Sequence, residues 1–468
     1  METLARAANR GSVSTGYNIN NSLKLEPDNT EKIYRPSGLG ASVTSTQGTI
    51  SYWHKGTELA SGTTWHWVDG TATQNHYASI DGNNVFYIAG RNESSYKLLT
   101  TRVFQDTSAW YHFVIAYDTT QATASNRIKL YVNGVQETDF STETYPAQNL
   151  DLRFLTVNGQ THIGNNTATS SRAGYYTEIY FLDGQTLAPT DFGEFDEDTG
   201  IWKPKQFTGS FGSNDYYLDF ESSGSLGADA SGNSNNFTLN NITSADQATD
   251  TPTNNFCIIN PLFKYPSSQV ISEGNTEITR TSGTGHNKIF YATMPVGSGK
   301  WYAEFEPQVT NGIYGVCTQE RPSTTVADNS YIGNTTGDVA YYYSDGNKYV
   351  SGTSTSYGSS YAAGDVMGIA LDMDNRYVYF SKNGTWQNSG DPTSGASGTG
   401  GLVLPDADEN YMMAISYSTG GNWYANWGGY TLISIASGNA DANGYGNFEY
   451  APPSGYYALC TKNLAEYG

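Results

Sequence analysis

The sequence predicts an all-β protein built from two β-sandwich domains that are joined by a polar connector. Three observations support this fold class. Glycine (51 residues) and tyrosine (37 residues) are both abundant, which supplies turns and strands respectively. Short runs of alternating apolar and polar residues recur along the chain in two blocks. The first block contains no helical period of useful length. A chain of 468 residues is also too long for one ordinary core.

The first block of strand signals covers residues 17–205, after a short polar arm at residues 1–16. Its strand-like runs are GTISYWHK, NNVFYIAG, AWYHFVIAYD, RIKLYVNGVQ and GYYTEIYFLDG. The fourth run contains Asn133-Gly134, a dipeptide that favours a two-residue type I′ hairpin turn. This block therefore predicts the first β-sandwich.

The segment from 206 to 264 has a different composition, rich in Ser, Asn, Asp and Gly. We interpret it as a connector that runs along a domain surface and carries the short strands YYLDF and NNFTLNN.

A second block of strand signals covers residues 265–430 and precedes a C-terminal segment at 431–468. Its most specific part is the run GDVMGIALDMDNRYVYFSKNGTW, which starts at Gly364. Here Asp374-Asn375 and Asn383-Gly384 predict two turns, and the apolar residues before the first turn are expected to face a sheet core. These core residues are Met367, Ile369 and Leu371.

The formal net charge of −21 argues against binding to nucleic acid or to anionic membranes. No apolar run is long enough to span a bilayer, and the first residues lack the apolar core of a signal peptide. The composition nevertheless suits an extracellular protein. A protein of a particle that is released by lysis would combine such a composition with the lack of a signal-peptide core. Cys257, Cys317 and Cys460 are too widely spaced for a disulfide framework or a zinc site, so we expect buried, incidental thiols.

The first block resembles the laminin-G-like, concanavalin-A-like jelly roll. The resemblance rests on GTISYWHK, AWYHFVIAYD, RIKLYVNGVQ and YYTEIYFLDGQTLAPTDFG, with Trp110 and His112 in the W-x-H strand. It implies a jelly-roll sandwich over residues 17–205.

The second block resembles the SPRY domain through GKWYAEFE, YGVCT, YYYSDGNKY, the hairpin described above and NWYANWG. In that family the hairpin belongs to the framework, and variable loops bind partners. The whole chain, including TDFGEFDEDTGIWKPKQFTG and the C-terminal segment, is similar to large virion proteins of marine tailed phages, which join such modules.

Two groups of carboxylates could suggest an enzyme. Laminarinase-type glucanases share the jelly roll and carry E-x-D-x-x-E or E-x-D-x-E on a strand. The run Glu194-Phe195-Asp196-Glu197-Asp198 departs from that pattern and follows the final strand, so we expect a solvated loop. Glu304 and Glu306 share one face of a strand, and we expect both to point into solvent. The sequence predicts no enzyme and no catalytic residue.

No histidine pair has the spacing of a metal site, and His112 is expected to be a hydrogen-bonded core residue. No cofactor is predicted. Ca²⁺ remains possible, because oxygen-rich turns occur in both blocks. The candidate ligands are Asp69, Asp81 and Asp118 in the first block and Asp372, Asp374 and Asn375 in the second.

Aromatic residues mixed with Ser, Gly and Asn resemble a binding surface, because rings give contact area and small polar groups adapt their hydrogen bonds. The candidate binding residues are Trp65, Trp67, Tyr341, Tyr343, Tyr349 and Trp423. By contrast, we expect Trp53, Trp301 and Trp427 to belong to the core.

These features predict a non-enzymatic structural protein of a phage virion, located in a tail fibre, an appendage or the capsid surface. Its partners would be other virion proteins and a host-surface glycan, and identical copies would assemble on a symmetric particle. Two alternatives stay open: a glycan-cleaving tail enzyme that uses Glu194 or Glu197, and a purely structural virion adaptor.

Overall fold

The computed structural model describes most of the chain and divides it into two compact units, residues 14–253 and residues 254–468. The described residues are 16–26, 31–35, 45–58, 64–69 (backbone only), 76–90, 95–152, 161–164, 173–262, 269–280, 289–321, 331–416 and 420–468. Apart from Gly16, the predicted N-terminal arm lies outside them. The described residues include no helix long and apolar enough to cross a bilayer.

The first unit consists almost entirely of antiparallel strands. They are β1 (Ser22–Leu25), β2 (Lys32–Arg35), β3 (Gln47–Gly56), β4 (Thr64–Asp69), β5 (His76–Ile80), β6 (Val85–Gly90), β7 (Tyr96–Val103), β8 (Tyr111–Asp118), β9 (Ile128–Val132), β10 (Val135–Gln136), β11 (Phe140–Thr144), β12 (Thr161–Ile163), β13 (Gly174–Asp183), β14 (Gly193–Phe195), β15 (Trp202–Pro204), β16 (Tyr216–Leu218), β17 (Thr238–Asn240) and β18 (Gln247–Ala248).

Two large sheets form the sandwich of this unit. The first has the order β10-β9-β8-β3-β13-β1-β18, with β16 also paired to β13, and the second has the order β11-β7-β6-β5-β4-β12-β2-β17. Alternate residues of the central strands fill the core between the sheets, as Ile50 and Tyr52 on β3 and Phe113 and Ile115 on β8 illustrate. The predicted all-β sandwich is confirmed.

The predicted connector does not exist as a separate segment, and this part of the sequence interpretation is wrong. Both short strands predicted in it form, but β16 pairs with β13 and β17 pairs with β2. Tyr216, Leu218 and Phe237 lie in the main core of the first unit. Its polar composition reflects tight turns between short strands, not a solvated linker.

The second unit also consists mainly of strands. They are β19 (Gln269–Ser272), β20 (Glu277–Arg280), β21 (Ile289–Tyr291), β22 (Lys300–Pro307), β23 (Ile313–Thr318), β24 (Val339–Tyr342), β25 (Asn347–Val350), β26 (Thr353–Ser356), β27 (Met367–Asp372), β28 (Tyr377–Lys382), β29 (Thr385–Trp386), β30 (Leu402–Val403), β31 (Tyr411–Ser416), β32 (Gly421–Asn426) and β33 (Tyr457–Ala458), and helix α1 (Thr461–Tyr467) follows them.

These strands again form two sheets around one core. One sheet has the order β19-β20-β32-β22-β27-β28-β29, and the other has the order β21-β31-β23-β24-β25-β26. Trp301 and Trp427 are buried between them, as predicted, and so are Met367, Ile369 and Leu371. The C-terminal segment is part of this unit, because β33 adds to β22 as a parallel strand.

The predicted tight turns are confirmed in both units. Asn133 and Gly134 have φ values of +48° and +79°, and Asn383 and Gly384 have φ values of +48° and +74°. Positive φ at both central residues is the geometry that a type I′ turn requires. In the loop between β27 and β28, Arg376 also has a positive φ of +62°. The three cysteines are buried and free, as expected.

Candidate functional site

Two of the predicted binding residues are core residues, so the prediction is wrong for Tyr341 and Trp423. Both side chains are 0% exposed. The Trp423 indole N–H donates to the carbonyl oxygen of Asn311 at 3.1 Å, and the Tyr341 hydroxyl donates to the carbonyl oxygen of Ser359. Their neighbours Ser, Gly and Asn are turn residues at the strand ends, and this composition misled the sequence interpretation.

Tyr343 and Tyr349 are half-buried, so they remain partly accessible to a partner. The Tyr349 ring contacts Tyr331 and Tyr342 edge-on, with centroids 5.9 and 5.6 Å apart. These residues form a small aromatic patch beside β25. Binding at this patch stays a prediction.

Trp65 and Trp67 lie on β4, which pairs with β5. The register shifts between them, since Trp65 lies opposite Ser79 and Trp67 lies opposite Ala78. Their side chains lie outside the described residues, so their role as a binding surface stays a prediction.

Glu304 is completely buried, which contradicts the expectation that it points into solvent. Its carboxylate accepts hydrogen bonds from the backbone N–H groups of Glu449 (2.9 Å) and Tyr450 (2.8 Å). The Tyr302 hydroxyl (3.1 Å) and the Asn426 amide (3.3 Å) also donate to it. Burial raises the pKa of Glu304 to about 7. Glu304 thus joins the C-terminal segment to the sheet. Glu306, the other glutamate that was expected to point into solvent, is half-buried.

Glu178 is a second buried carboxylate, and sequence reasoning missed it. It lies at a β-bulge of β13 with a left-handed φ of +52°. The hydroxyls of Tyr17 (3.0 Å), Tyr180 (2.7 Å) and Tyr217 (2.6 Å) donate to its oxygens. Burial raises the pKa of Glu178 to about 7. A glutamate within an aromatic strand gives no periodic signal, so nothing in the sequence marks this site.

His112 is a hydrogen-bonded core residue, as predicted. The Trp202 indole N–H donates to His112 Nδ1 at 3.0 Å, so the proton of the neutral ring is on Nε2, which lies 2.8 Å from Ser51 Oγ. Burial lowers the pKa of His112 to about 3. The ring also stacks on Trp53, with centroids 4.7 Å apart. It is therefore a neutral structural group.

The acidic run lies at the surface, as expected, but it begins on a short strand of the β14–β15 hairpin instead of a loop. Glu194 and Glu197 are exposed. Lys203 Nζ lies 3.4 Å from Glu194 Oε1 and 3.1 Å from Asp196 Oδ2. Hydrogen bonds from Thr199 lower the pKa of Asp196 to about 2. The run is a lysine-paired turn.

A groove of about 370 Å³ opens on the first unit beside strands β8 and β9. Its lining includes Tyr131, Lys129, Asn126, Gln121 and Leu187. Among the described residues, no ion pair or hydrogen bond engages the Lys129 ammonium or the Asn126 amide. The groove therefore brings one ring, one cation and carboxamide groups together at the surface.

A second, smaller groove of about 180 Å³ adjoins the first, and Leu187 lines both. Phe207 and Lys205 line the smaller one. Sequence reasoning missed these grooves, although RIKLYVNG carried a usable signal. Ile128, Leu130 and Val132 alternate into the core, so Lys129 and Tyr131 had to face outward.

Comparison with known proteins identifies part of the second unit. Residues 300–404 match the family model of the SPRY domain. The second unit contains a SPRY domain. The dual specificity protein kinase splA of Dictyostelium discoideum is 33% identical over 114 residues. That match spans 23% of this chain but only 4% of the kinase.

Solved structures also resemble parts of the chain. The SPRY domain of human HERC1 is 22% identical, with a TM-score of 0.26 over 36% of this chain and 96% of that domain. A heptameric SAP-like pentraxin from Limulus polyphemus is 13% identical, with a TM-score of 0.28 over 37% of this chain and 80% of the pentraxin.

In the SPRY domain the β27–β28 hairpin is framework, as the sequence predicts. Asp372 receives the backbone N–H and the amide of Asn375, both at 2.9 Å, and pairs with Lys300 Nζ at 2.8 Å. Asp374 receives the N–H of Gly299 at 2.8 Å. These oxygens therefore stabilise turns.

The calcium candidates of the first unit have similar roles. Asp118 receives the N–H of Thr120 and Asp81 receives the N–H of Asn83, and the side chain of Asp69 lies outside the described residues. Within the described part of the chain, no three His, Cys, Asp or Glu side chains form a group that could hold a metal ion. Calcium binding stays a prediction.

Proposed function

We propose that this chain is a non-enzymatic structural protein of a phage virion, and that its first unit binds a host-surface glycan. The protein would be a tail fibre, an appendage or a capsid-surface component. The observation that carries the glycan part is the groove beside Leu187, where Tyr131, Lys129 and Asn126 converge. The resemblance of residues 17–205 to laminin-G-like sandwiches, and of the whole chain to phage virion proteins, supports the rest.

The chemistry of the groove suits a sugar chain. A Tyr131 ring can stack against the C–H face of a sugar, and carboxamides and an ammonium can bond its hydroxyls. Asp118 and Lys129 both line the groove, so its formal charge is balanced. A neutral glycan therefore fits it better than a strongly anionic one, since the protein as a whole carries a charge of −21.

As a virion component, the chain would have protein partners within the particle. Other virion proteins would hold the chain on a symmetric particle, beside identical copies of itself. Proteomic analysis of purified particles should recover the chain in a constant ratio to the known structural proteins. Its absence from intact particles would contradict the virion role.

The glycan proposal is tested by retention of the full chain on immobilised neutral and uronic-acid polysaccharides. Lys129→Ala and Tyr131→Ala should each weaken retention on a neutral polysaccharide at least tenfold, about 1.4 kcal/mol. Tyr424→Ala, at a half-buried tyrosine of the second unit that is not a candidate binding residue, is the matched control and should bind normally.

Other results would assign other roles. Loss of retention in Tyr349→Ala alone would transfer binding to the aromatic patch beside β25. Release of new reducing ends would support the glycan-cleaving alternative instead. A chain that is present in particles but retained on no polysaccharide would be a structural adaptor.

A further inference from the structure

Two buried lysines lie on the outer face of the first sheet. Lys24 on β1 and Lys55 on β3 flank Tyr175 in register, because Tyr175 pairs with both. Their side chains are 1% and 0% exposed. Each ammonium lies against a carboxylate from the segment around β18: Lys24 against Asp246, and Lys55 against Asp250.

Lys24 contacts two carboxylates at once. Its Nζ lies 3.0 Å from Asp246 Oδ1 and 3.3 Å from Glu31 Oε1. Glu31 is oriented by a second contact, since its Oε2 accepts the backbone N–H of Glu26 at 2.7 Å. The side chains of Glu31 and Asp246 are only 4% and 10% exposed. One amine and two acids are thus held together away from water.

The Asp246 carboxyl is polarised in a specific direction. While Oδ1 faces Lys24, Oδ2 accepts the backbone N–H of Thr243 at 2.8 Å and the Thr243 hydroxyl at 3.3 Å. Donors that converge on one oxygen stabilise the negative charge that develops there when a nucleophile attacks the carbonyl carbon. The other oxygen is free to leave toward the amine.

Burial of these three groups in their charged forms is costly, because two carboxylates share one ammonium. Moving one proton from Lys24 to Asp246 gives a neutral amine, which is a nucleophile, beside a neutral carboxyl. Fixed contact between the two replaces a bimolecular encounter with an intramolecular one.

We propose that Lys24 and Asp246 condense to form an intramolecular isopeptide bond, with Glu31 as the proton-transfer group. Lys24 Nζ attacks Asp246 Cγ, and the Nζ–Cγ bond forms while negative charge collects on Oδ2. Glu31 accepts a proton from the attacking nitrogen and delivers it to Oδ1. The Cγ–Oδ1 bond then breaks, one water leaves, and Glu31 is regenerated. The reaction needs no oxidant and no cofactor.

The Lys55–Asp250 pair is the internal comparison. Lys55 Nζ lies 2.7 Å from Asp250 Oδ2, and Asp250 Oδ1 accepts the indole N–H of Trp110 at 2.9 Å. An indole N–H donates a hydrogen bond but does not accept and return a proton, as Glu31 does for Lys24. We therefore place the covalent bond at Lys24, and Lys55 supplies a control of equal burial.

The test is the mass of the denatured full-length protein. The wild type should be lighter than its sequence by the mass of one water molecule. Digestion and tandem mass spectrometry should find a branched peptide that joins Lys24 to Asp246. This measurement concerns the covalent structure alone, so its outcome is independent of the proposed function.

Three variants sharpen the test. Lys24→Arg keeps the charge and Glu31→Gln keeps the shape, and both should have the full sequence mass. Lys55→Arg should still lack one water. A wild type with the full sequence mass after prolonged incubation would overturn the proposal, and this result needs no variant to fold. A water loss that survives in Lys24→Arg would also overturn it.

Discussion

Each unit buries a glutamate on a central strand, but the two carboxylates are held by different sets of donors. Besides the Tyr302 hydroxyl and the Asn426 amide, Glu304 in the SPRY domain receives two backbone N–H groups, which cannot change direction. Glu178 in the first unit receives three tyrosine hydroxyls, each of which can rotate and accept instead. Burial raises the pKa of both to about 7. The same burial therefore produces one rigid site and one adaptable site.

The largest expected difference concerns replacement of each glutamate by glutamine. In Glu304→Gln, an amide NH2 group would replace one carboxylate oxygen and would face one of the two backbone N–H groups. The buried donors that pointed at that oxygen would lose their acceptor. We expect a loss of about 3–4 kcal/mol in the free energy of unfolding, since each such donor costs about 1–3 kcal/mol. Glu178→Gln should cost less than about 1 kcal/mol, because the hydroxyls can reorient. Urea denaturation of the full chain measures both.

Glu306→Gln is the matched control, because Glu306 lies two residues from Glu304 on the same strand and is half-buried. It should leave the unfolding free energy nearly unchanged. Equal losses in Glu304→Gln and Glu178→Gln would show that the direction of the donors does not matter.

The second difference is a dependence on pH. Both carboxyls have folded-state pKa values near 7, above the ordinary value of 4.5. Between these values the folded state keeps the proton and the unfolded chain releases it. The stabilisation is thus complete below pH 4.5 and is lost as the pH rises through 7, by up to about 3 kcal/mol per group.

Urea denaturation between pH 4.5 and 8 measures this effect. In each glutamine variant, the free energy of unfolding should fall less with rising pH than in the wild type, by the part that the replaced glutamate contributes. This difference separates the two glutamates from all other groups that titrate. A decline that is the same in the wild type and in both variants would mean that neither glutamate causes it.

The smallest difference concerns the two type I′ turns. An added Cβ at Gly134 would lie 2.4 Å from the buried Trp202 ring, whereas at Gly384 it would lie 2.5 Å from the partly exposed Tyr450 ring. An alanine in the left-handed conformation costs about 1–2 kcal/mol. Gly384→Ala should lower the free energy of unfolding by that amount, and Gly134→Ala should lower it by more. Thermal unfolding compares them.

Gly200→Ala isolates the backbone contribution, because Gly200 has a φ of +69° and no neighbour within 4 Å of an added Cβ. A Gly134→Ala variant that is no less stable than Gly200→Ala would show that Trp202 moves aside freely.

The sequence was sufficient for the local structure of both units but not for the partners of individual polar groups. Period-two alternation identified Ile369 and Leu371 as core, and Asn-Gly pairs identified the turns, since both signals are local. Glu304 was misplaced because alternation does not reveal that a distant segment covers the outer face of its strand. Tyr341 and Trp423 were misplaced for a related reason: aromatic residues near Ser, Gly and Asn have the same composition in a core strand as in a binding loop. Lys129 and Tyr131 could have been found from alternation alone.

The pairing of β1 with β18 and of β2 with β17 has a consequence for biosynthesis. Strands β1 and β2 cannot complete their ladders until residues 238–248 have emerged from the ribosome. Such distant pairing slows folding and leaves early strand edges open to wrong partners. A fragment cut at residue 205 would lack these closing strands, so expression of the first unit alone should extend to residue 253, where the compact unit ends.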